Sequence, residues 1–155
     1  MFHVIDDQPH IHEFVSSVLD SIGYESICFS CPAEYLSYLS SPEFQKPLAV
    51  ITDITMPIMN GYGLINQISE LNPNLKFVVM TGEPHIHSPY KHKACMYLSK
   101  PFKPEKLMQI VHTIVLCESS APSCEHECGE VADKKDFSIT NWRCPKVCTT
   151  CDDGC

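Results

Sequence analysis

The sequence lacks any apolar run approaching the roughly 20 residues that a membrane-spanning helix requires. It also lacks clusters of Lys and Arg, since 11 basic residues stand against 19 acidic ones and the formal net charge is −8. No basic stretch precedes the first acidic residues, as one would in a signal peptide. These absences argue against a membrane protein and against a nucleic-acid-binding surface, which needs clustered positive charge. We therefore expect a cytoplasmic protein with no nucleic-acid partner and no membrane partner.

Cysteine is scarce in most of the chain and concentrated at its end. Of the 10 cysteines, three lie in the first hundred residues and seven lie between Cys117 and Cys155. The composition changes near 119–123, where Ser, Ala and Pro replace the apolar residues. The sequence thus predicts one globular domain over residues 1–117 and a Cys-rich tail over residues 118–155.

The first 116 residues alternate short apolar runs with longer amphipathic stretches. The runs predict strands at Phe2–Ile5, Tyr24–Phe29, Leu48–Thr52, Phe77–Met80 and Met96–Leu98, and the stretches predict helices at Pro9–Ile22, Pro32–Leu39, Tyr62–Leu71 and Pro104–Leu116. Such alternation is typical of an α/β fold with a doubly wound, five-stranded parallel sheet. The third run is apolar throughout, which favours a strand covered by helices on both faces.

Polar side chains follow the predicted strands at their carboxyl ends. They are Asp6, Asp7, Asp53, Thr81 and Lys100. Ligands of parallel α/β sheets bind at this edge, so we expect these side chains to meet there. Three carboxylates brought together need a cation, and oxygen ligands favour Mg²⁺. A hydroxyl and an ammonium nearby suit the oxygens of a transferring phosphoryl group, and one carboxylate suits the role of nucleophile.

Four segments carry a resemblance to a known family. They are Asp6-Asp7, Asp53–Gly61, Thr81-Gly82 and Lys100-Pro101-Phe102. Together they resemble the signature of the receiver domains of bacterial two-component response regulators, over about residues 1–116. The resemblance implies a flavodoxin-like fold with strand order 2-1-3-4-5. It also implies that Asp53 accepts a phosphoryl group from a sensor histidine kinase or a phosphotransfer protein, as a signalling switch and not as an enzyme.

The resemblance also implies a metal site and a set of switch residues. Asp7, Asp53 and the backbone carbonyl of Thr55 would bind Mg²⁺, and Asp6 would add charge and water-mediated contacts. Lys100 would pair with the phosphoryl oxygens, Thr81 would move to bond them, and Tyr97 would turn inward with Thr81. Pro101 would follow a cis peptide bond. Thr55 and Glu83 would tune dephosphorylation.

The segment after Thr81 departs from the family's pattern. It is about three residues shorter than usual before Lys100, nearly one helical turn, and Pro89 falls within it. We expect a short or distorted helix there, on the usual output face. The acidic tail is too small for a helix-turn-helix, so we expect signalling to an unknown downstream protein through protein–protein interaction.

The tail carries closely spaced metal-binding residue types. The candidates are Cys124, His126, Cys128, Cys144, Cys148, Cys151 and Cys155. Thiolates at these spacings could close around Zn²⁺ and stabilise a segment with few aliphatic residues. An iron–sulfur cluster and a tail of reduced, unligated thiols are the alternatives.

Two other functions remain in view. In the first, the tail senses metal or redox state and the receiver-like part is a docking scaffold. In the second, the chain is a phosphatase of the haloacid-dehalogenase type, but those enzymes carry a second Asp two residues after the nucleophile, and this chain has Thr55 there. The sequence disfavours the phosphatase for that reason.

Overall fold

The computed structural model describes residues 1–82 and 94–119. Its strands are β1 (Phe2–Ile5), β2 (Ser26–Phe29), β3 (Val50–Asp53), β4 (Phe77–Thr81) and β5 (Met96–Ser99). Its helices are α1 (Pro9–Ser21), α2 (Pro32–Leu39), α3 (Gly61–Leu71) and α4 (Pro104–Ser119). The predicted helix over 83–92 and the whole predicted metal-binding tail lie outside the described residues.

The five strands form one parallel sheet in the order β2-β1-β3-β4-β5. This confirms the predicted fold class and strand order. Because all strands run in the same direction, their carboxyl ends share one edge of the sheet, which we call the carboxyl edge. The carboxyl ends of β1, β3, β4 and β5 therefore lie at this edge.

Each face of the sheet has its own buried core, because side chains alternate along a strand. In β4, Val78 and Met80 pack with α1 and α4, whereas Phe77 and Val79 pack with α2 and α3. Both cores are apolar, so the central strands read as the continuous hydrophobic runs expected of a sheet covered on both faces. The sheet is therefore a rigid frame for the groups at its carboxyl edge.

Two strands begin later than the sequence suggested. β2 begins at Ser26, two residues after the predicted start, because Ser26 is the first residue that pairs with β1, opposite Phe2. β3 begins at Val50 and ends with Asp53 itself, since Asp53 pairs with Met80 of β4. Hydrophobicity marks a buried segment but not the residue at which its pairing starts.

Cys28 lies in β2 and is only half-buried. Its Sγ lies 3.3 Å from Oγ of Ser16 in α1, and the Ser26 hydroxyl donates to Ser16 at 2.8 Å. Cys31 is exposed, and both cysteines are free.

The last helix is anchored to the sheet by a buried lysine. Lys76 lies just before β4, at the edge opposite the carboxyl edge, and forms an ion pair with Glu118. α4 continues to Ser119, past the predicted end at Leu116 and past the domain boundary predicted after residue 117. Among the described residues, none of the helices combines the length and hydrophobicity that crossing a bilayer demands.

Candidate functional site

Asp53 is the last residue of β3 and is held from two sides. Its carboxylate Oδ2 accepts a hydrogen bond from the backbone N–H of Thr55 at 2.8 Å. The next backbone N–H, from Ile54, donates to the Met80 carbonyl at 3.2 Å and keeps the chain against β4. Asp53 is buried, with only 4% of the residue exposed.

Lys100 joins two carboxylates at the centre of the site. Its ammonium donates to Oδ2 of Asp6 at 2.6 Å and lies 2.9 Å from Oδ1 of Asp53. Asp6 is fully buried, and its other oxygen accepts from the backbone N–H of Gln8 at 2.9 Å. Burial disfavours the ammonium, but the hydrogen bonds to Asp6 and Asp53 outweigh burial and raise the pKa of Lys100. The lysine therefore stays charged and balances one of the two negative charges.

The other predicted site residues surround this ion triad at the carboxyl edge. Thr81 ends β4 and is buried, and its carbonyl accepts from the backbone N–H of Lys100 at 2.7 Å. Asp7 and Thr55 are exposed. The peptide bond between Lys100 and Pro101 is cis, as the resemblance implied. The structure thus brings Asp6, Asp53 and Lys100 into direct contact and leaves Asp7 on the rim.

Gly61 lies against the backbone of Asp53, a contact that the sequence analysis did not predict. A Cβ placed there would lie 2.1 Å from the backbone carbonyl oxygen of Asp53, far inside van der Waals contact. Its N–H donates to the Ile54 carbonyl at 3.0 Å, and Asn60 caps α3 by accepting from Gly63 at 2.8 Å. The start of α3 is therefore packed directly against the backbone of Asp53. In the sequence, the glycine that follows Asn60 was the feature that could have indicated this close contact.

The loop between Asp53 and α3 contains one strained residue. Ile58 has φ of 70°, and the N–H of Met59 bonds back to the Pro57 carbonyl at 2.8 Å, which makes a tight three-residue turn. A β-branched residue rarely adopts positive φ because its side chain crowds the backbone. The Ile58 side chain is also fully exposed at the rim of the site.

Tyr97 lies in β5, three residues before Lys100, and packs against the core formed with α2 and α3. Burial, followed by a hydrogen bond with Tyr62, raises the pKa of Tyr97 well above its usual value. The Tyr97 phenol is therefore neutral at physiological pH. The predicted switch residue is half-buried and packs against the core to which α3 contributes.

The donor set at the carboxyl edge suits a hard cation. Lys100 shows that a positive group fits between the Asp6 and Asp53 carboxylates, and oxygen ligands of this kind are those that Mg²⁺ prefers. Within residues 1–82 and 94–119, however, His, Cys, Asp and Glu side chains form no group of three or more that could hold a metal ion. A third carboxylate would have to come from the exposed Asp7.

The tail's predicted zinc ligands lie outside the described residues. They are Cys124, His126, Cys128, Cys144, Cys148, Cys151 and Cys155. Nothing in the structure tests zinc or iron–sulfur binding by them. Both stay predictions.

Comparison with known proteins identifies relatives of the described region. The family described as response regulator receiver domain matches residues 2–112. The DNA-binding transcriptional regulator NtrC of Escherichia coli is 30% identical over 115 residues, which cover 72% of this chain and 24% of NtrC. The response regulator protein TmoT of Ectopseudomonas mendocina is 24% identical over 138 residues, 87% of this chain and 60% of TmoT. The chain thus spans about a quarter of NtrC and less than two thirds of TmoT.

Solved structures give the same result at the level of the fold. Response regulator TrrA of Thermotoga maritima, in complex with Mg²⁺ and BeF, superposes with a TM-score of 0.66 at 26% identity. The alignment covers 73% of this chain and 96% of TrrA. Chemotaxis protein CheY4 of Vibrio cholerae, also 26% identical, has a TM-score of 0.62 over 73% of this chain and 96% of CheY4.

Proposed function

This chain belongs to the family of response regulator receiver domains, and we propose that it is a phosphorylation switch whose phospho-accepting residue is Asp53. The observation that carries the proposal is the contact of the Lys100 ammonium with both Asp53 and the buried Asp6. A carboxylate held next to a cation is placed to attack a phosphoryl group and to have the product's charge balanced.

The residues of the site divide the chemistry among them. An oxygen of Asp53 attacks the phosphorus of a donor's phosphohistidine, a new O–P bond forms, and the P–N bond breaks with the electron pair leaving on the imidazole. The Lys100 ammonium is already charged. As negative charge develops on the phosphoryl oxygens, this ammonium moves from one carboxylate to the phosphoryl group. Thr81, one strand away, offers its hydroxyl to the same oxygens. The backbone N–H of Thr55 holds the attacking carboxylate in place.

Receiver domains in general bind Mg²⁺, and we propose that this one does so through Asp7, Asp53 and the backbone carbonyl of Thr55, with Asp6 acting through water. The ion would supply positive charge to the phosphoryl oxygens. Two of the three carboxylates are already within reach of one cation, and the third lies on the rim. The donor of the phosphoryl group is a sensor histidine kinase or a phosphotransfer protein.

The output is proposed to pass to a downstream protein. Support comes from the net charge of −8, which disfavours direct contact with the phosphate backbone of a nucleic acid. NtrC is named a DNA-binding regulator, but this chain spans only 24% of it, so its output is not transferred here. A cytoplasmic location is part of the same proposal.

Phosphorylation of Asp53 can be tested directly with acetyl phosphate. We expect the full chain to gain one phosphoryl group in a Mg²⁺-dependent reaction, detected by intact mass or by a phosphate-affinity gel. Asp53→Asn should abolish the gain, whereas Asp20→Asn, which alters an exposed acid on α1, should leave it unchanged. Labelling of a folded Asp53→Asn variant at the wild-type level would contradict the proposal.

The tail retains its own prediction, which rests on cysteine spacing. Zinc bound to the full chain should appear in a native mass spectrum and disappear with a chelator, and an iron–sulfur cluster would instead show visible absorption. The alternative function, a metal- or redox-sensing adaptor with the receiver as scaffold, requires partner binding that changes with metal or oxidant and is indifferent to Asp53→Asn.

A further inference from the structure

A hydroxyl is buried in the strand that carries the proposed phosphoacceptor. Thr52 of β3 is fully buried and shares its face of the sheet with Val50, which packs in the core beneath α2 and α3. A hydroxyl in such a place destabilises the fold unless it forms a hydrogen bond. The bond is present, because Thr52 Oγ1 donates to the backbone carbonyl of Asp53 at 3.0 Å. The buried hydroxyl therefore has a specific partner, and that partner belongs to the site.

The Asp53 carbonyl lies beyond the last pair of the β1–β3 ladder. The N–H in the same peptide unit, that of Ile54, donates to Met80 in β4 at 3.2 Å, and the carbonyl of a trans peptide points to the opposite side. On that side of β3 lies β1, whose described pairing with β3 ends at Ile5 and Thr52, one residue before Asp53. The Thr52 hydroxyl thus supplies a hydrogen bond at a point where this ladder has ended.

Three contacts hold the peptide unit between Asp53 and Ile54. Its N–H bonds to β4, its carbonyl accepts from Thr52, and Gly61 lies so close to the carbonyl oxygen that a Cβ there would be 2.1 Å away. Because a peptide unit is planar, a unit held at both its N–H and its carbonyl cannot rotate without breaking one of these contacts. The orientation of this plane sets the direction in which the chain continues to Thr55.

Thr55 holds the carboxylate of the proposed phosphoacceptor. Its backbone N–H donates to Oδ2 of Asp53 at 2.8 Å, and its backbone carbonyl is a proposed ligand of Mg²⁺. Both groups lie just beyond the fixed peptide unit. A rotation of that unit would therefore move the N–H that holds the carboxylate and the carbonyl proposed for the metal.

We infer that Thr52 is a positioning residue for phosphoryl transfer. Its hydroxyl fixes the peptide unit after Asp53 and, through that unit, the Thr55 N–H that orients the attacking carboxylate. This role deepens the proposed function and rests on it, because the orientation of the carboxylate matters for transfer only if Asp53 is the phosphoacceptor. The placement of the Thr55 N–H by the Thr52 hydroxyl does not itself depend on phosphorylation.

Substitutions at position 52 separate the hydroxyl from the methyl group. Thr52→Val keeps the branched shape and removes the hydroxyl, whereas Thr52→Ser keeps the hydroxyl and removes the methyl group. Thr52→Ala removes both and adds no bulk, so it replaces Thr52→Val if that variant does not fold. A neutral hydrogen bond is worth about a fivefold change in an equilibrium, here that between placed and displaced carboxylates. We expect acetyl phosphate to label Asp53 about fivefold more slowly in Thr52→Val and Thr52→Ala, and at the wild-type rate in Thr52→Ser.

The Thr55 amide reports the positioning step without phosphorylation. In NMR of the full chain, exchange of this amide proton with water should quicken about fivefold in Thr52→Val, because the bond to the Asp53 carboxylate is populated less. Thr52→Ser should keep the wild-type exchange rate. The matched control is Thr113→Val, which also removes a hydroxyl bonded to a backbone carbonyl, that of Gln109 in α4 at 2.9 Å. It should change neither the Thr55 amide nor the labelling of Asp53.

Equal exchange rates of the Thr55 amide in Thr52→Val and wild type would overturn the inference. A Thr52→Ser variant as impaired as Thr52→Val would also overturn it, because the methyl group and not the hydroxyl would then be responsible. The two proposals fail separately. If acetyl phosphate labels no form of the chain, wild type included, the switch function fails, while the exchange rates still decide whether the Thr52 hydroxyl places the Thr55 N–H.

Discussion

The Lys100 ammonium lies 2.9 Å from Oδ1 of Asp53, so the phosphoacceptor proposed here is paired with a cation that the chain itself supplies. The same ammonium bonds to the buried Asp6. A lysine in this position competes with a divalent cation for the two carboxylates. It also offsets their mutual repulsion, which would otherwise destabilise the fold.

Lys100→Met should therefore raise the affinity for Mg²⁺. Removing one positive charge a few ångströms from the ion is worth about 1 kcal/mol, or roughly fivefold in Kd. Isothermal titration calorimetry measures this, and Lys103→Met, which removes an exposed charge nearby, is the control. Labelling of Asp53 by acetyl phosphate should fall in Lys100→Met despite tighter metal binding. Equal Mg²⁺ affinity in both variants would show that the ammonium does not compete.

The pH dependence of the Lys100 contribution has a defined sign. Its pKa is raised in the folded state above the ordinary value of 10.5, so the ion pairs stabilise the fold fully below pH 10.5 and are lost as pH rises through the folded-state pKa. Across the physiological range the site keeps its internal cation.

Gly61→Ala and Gly63→Ala should have opposite effects although both lie in the first turn of α3. A Cβ at position 61 would lie 2.1 Å from the Asp53 carbonyl oxygen, so the helix must move away from the site. We expect a loss of about 2 kcal/mol or more in the free energy of unfolding, together with weaker labelling of Asp53. At position 63 the nearest atoms are 3.5 Å away, and alanine should stabilise the helix by about 0.5–1 kcal/mol. Urea unfolding of the two variants tests this, and equal stabilities would contradict it.

His3 should make the protein sensitive to mild acid. Its imidazole is fully buried, Nδ1 lies 3.2 Å from the Tyr35 hydroxyl, and the rings of Phe29, Tyr38 and Phe44 surround it. Burial, and then repulsion by the N-terminal ammonium, lower the pKa of His3 from 6.5 to about 4. Between these values the unfolded chain binds a proton that the folded chain excludes, so stability falls as pH drops from 6.5 to 4.

The shift of His3 corresponds to about 3 kcal/mol of stability at pH 7 relative to acid. Urea unfolding at a series of pH values between 7.5 and 4.5 measures it. His3→Phe keeps the aromatic packing and should lose this part of the acid sensitivity. The control is His112→Gln, at an exposed histidine, whose free energy of unfolding should change with pH as that of wild type does. Parallel pH profiles for wild type and His3→Phe would refute the assignment.

Local patterns in the sequence predicted the strands, whereas contacts between distant residues were harder to predict. The apolar runs predicted the five strands, and Asp6, Asp53 and Lys100 could be brought together in advance because parallel strands place their carboxyl ends at one edge. The sequence did not predict whether Asp6 or Asp7 pairs with Lys100. The two residues are adjacent, and only the pleat of the strand decides that Asp6 points inward.

Two buried polar residues were missed for a related reason. In the sequence, His3 looks like an ordinary strand residue and Lys76 like a lysine that precedes a strand. Their partners are 32 and 42 residues away: Tyr35 and Glu118. Hydrophobic periodicity carries no information about such pairs.

The ion pair of Lys76 and Glu118 yields a prediction in which the two partners are unequal. Lys76 is 3% exposed and Glu118 is 48% exposed. Burial opposes the charge on Lys76, but bonding to Glu118 outweighs burial and raises the pKa of the lysine. Glu118→Ala leaves a buried ammonium without its carboxylate partner, with the Ile114 carbonyl at 3.5 Å among its remaining contacts, so we expect a loss of about 1–3 kcal/mol in the free energy of unfolding.

Lys76→Met should cost less than Glu118→Ala, because a methionine of similar length fills the space without a buried charge, and the Glu118 carboxylate left behind can be solvated. Urea unfolding ranks the two variants, and Glu25→Ala, which removes an exposed acid near β2, should have no effect. Hydrogen exchange in the last turn of α4 should quicken in Glu118→Ala and change little in Lys76→Met. A larger loss of stability in Lys76→Met would mean that the ammonium stabilises the end of α4 chiefly through the Ile114 carbonyl and not through Glu118.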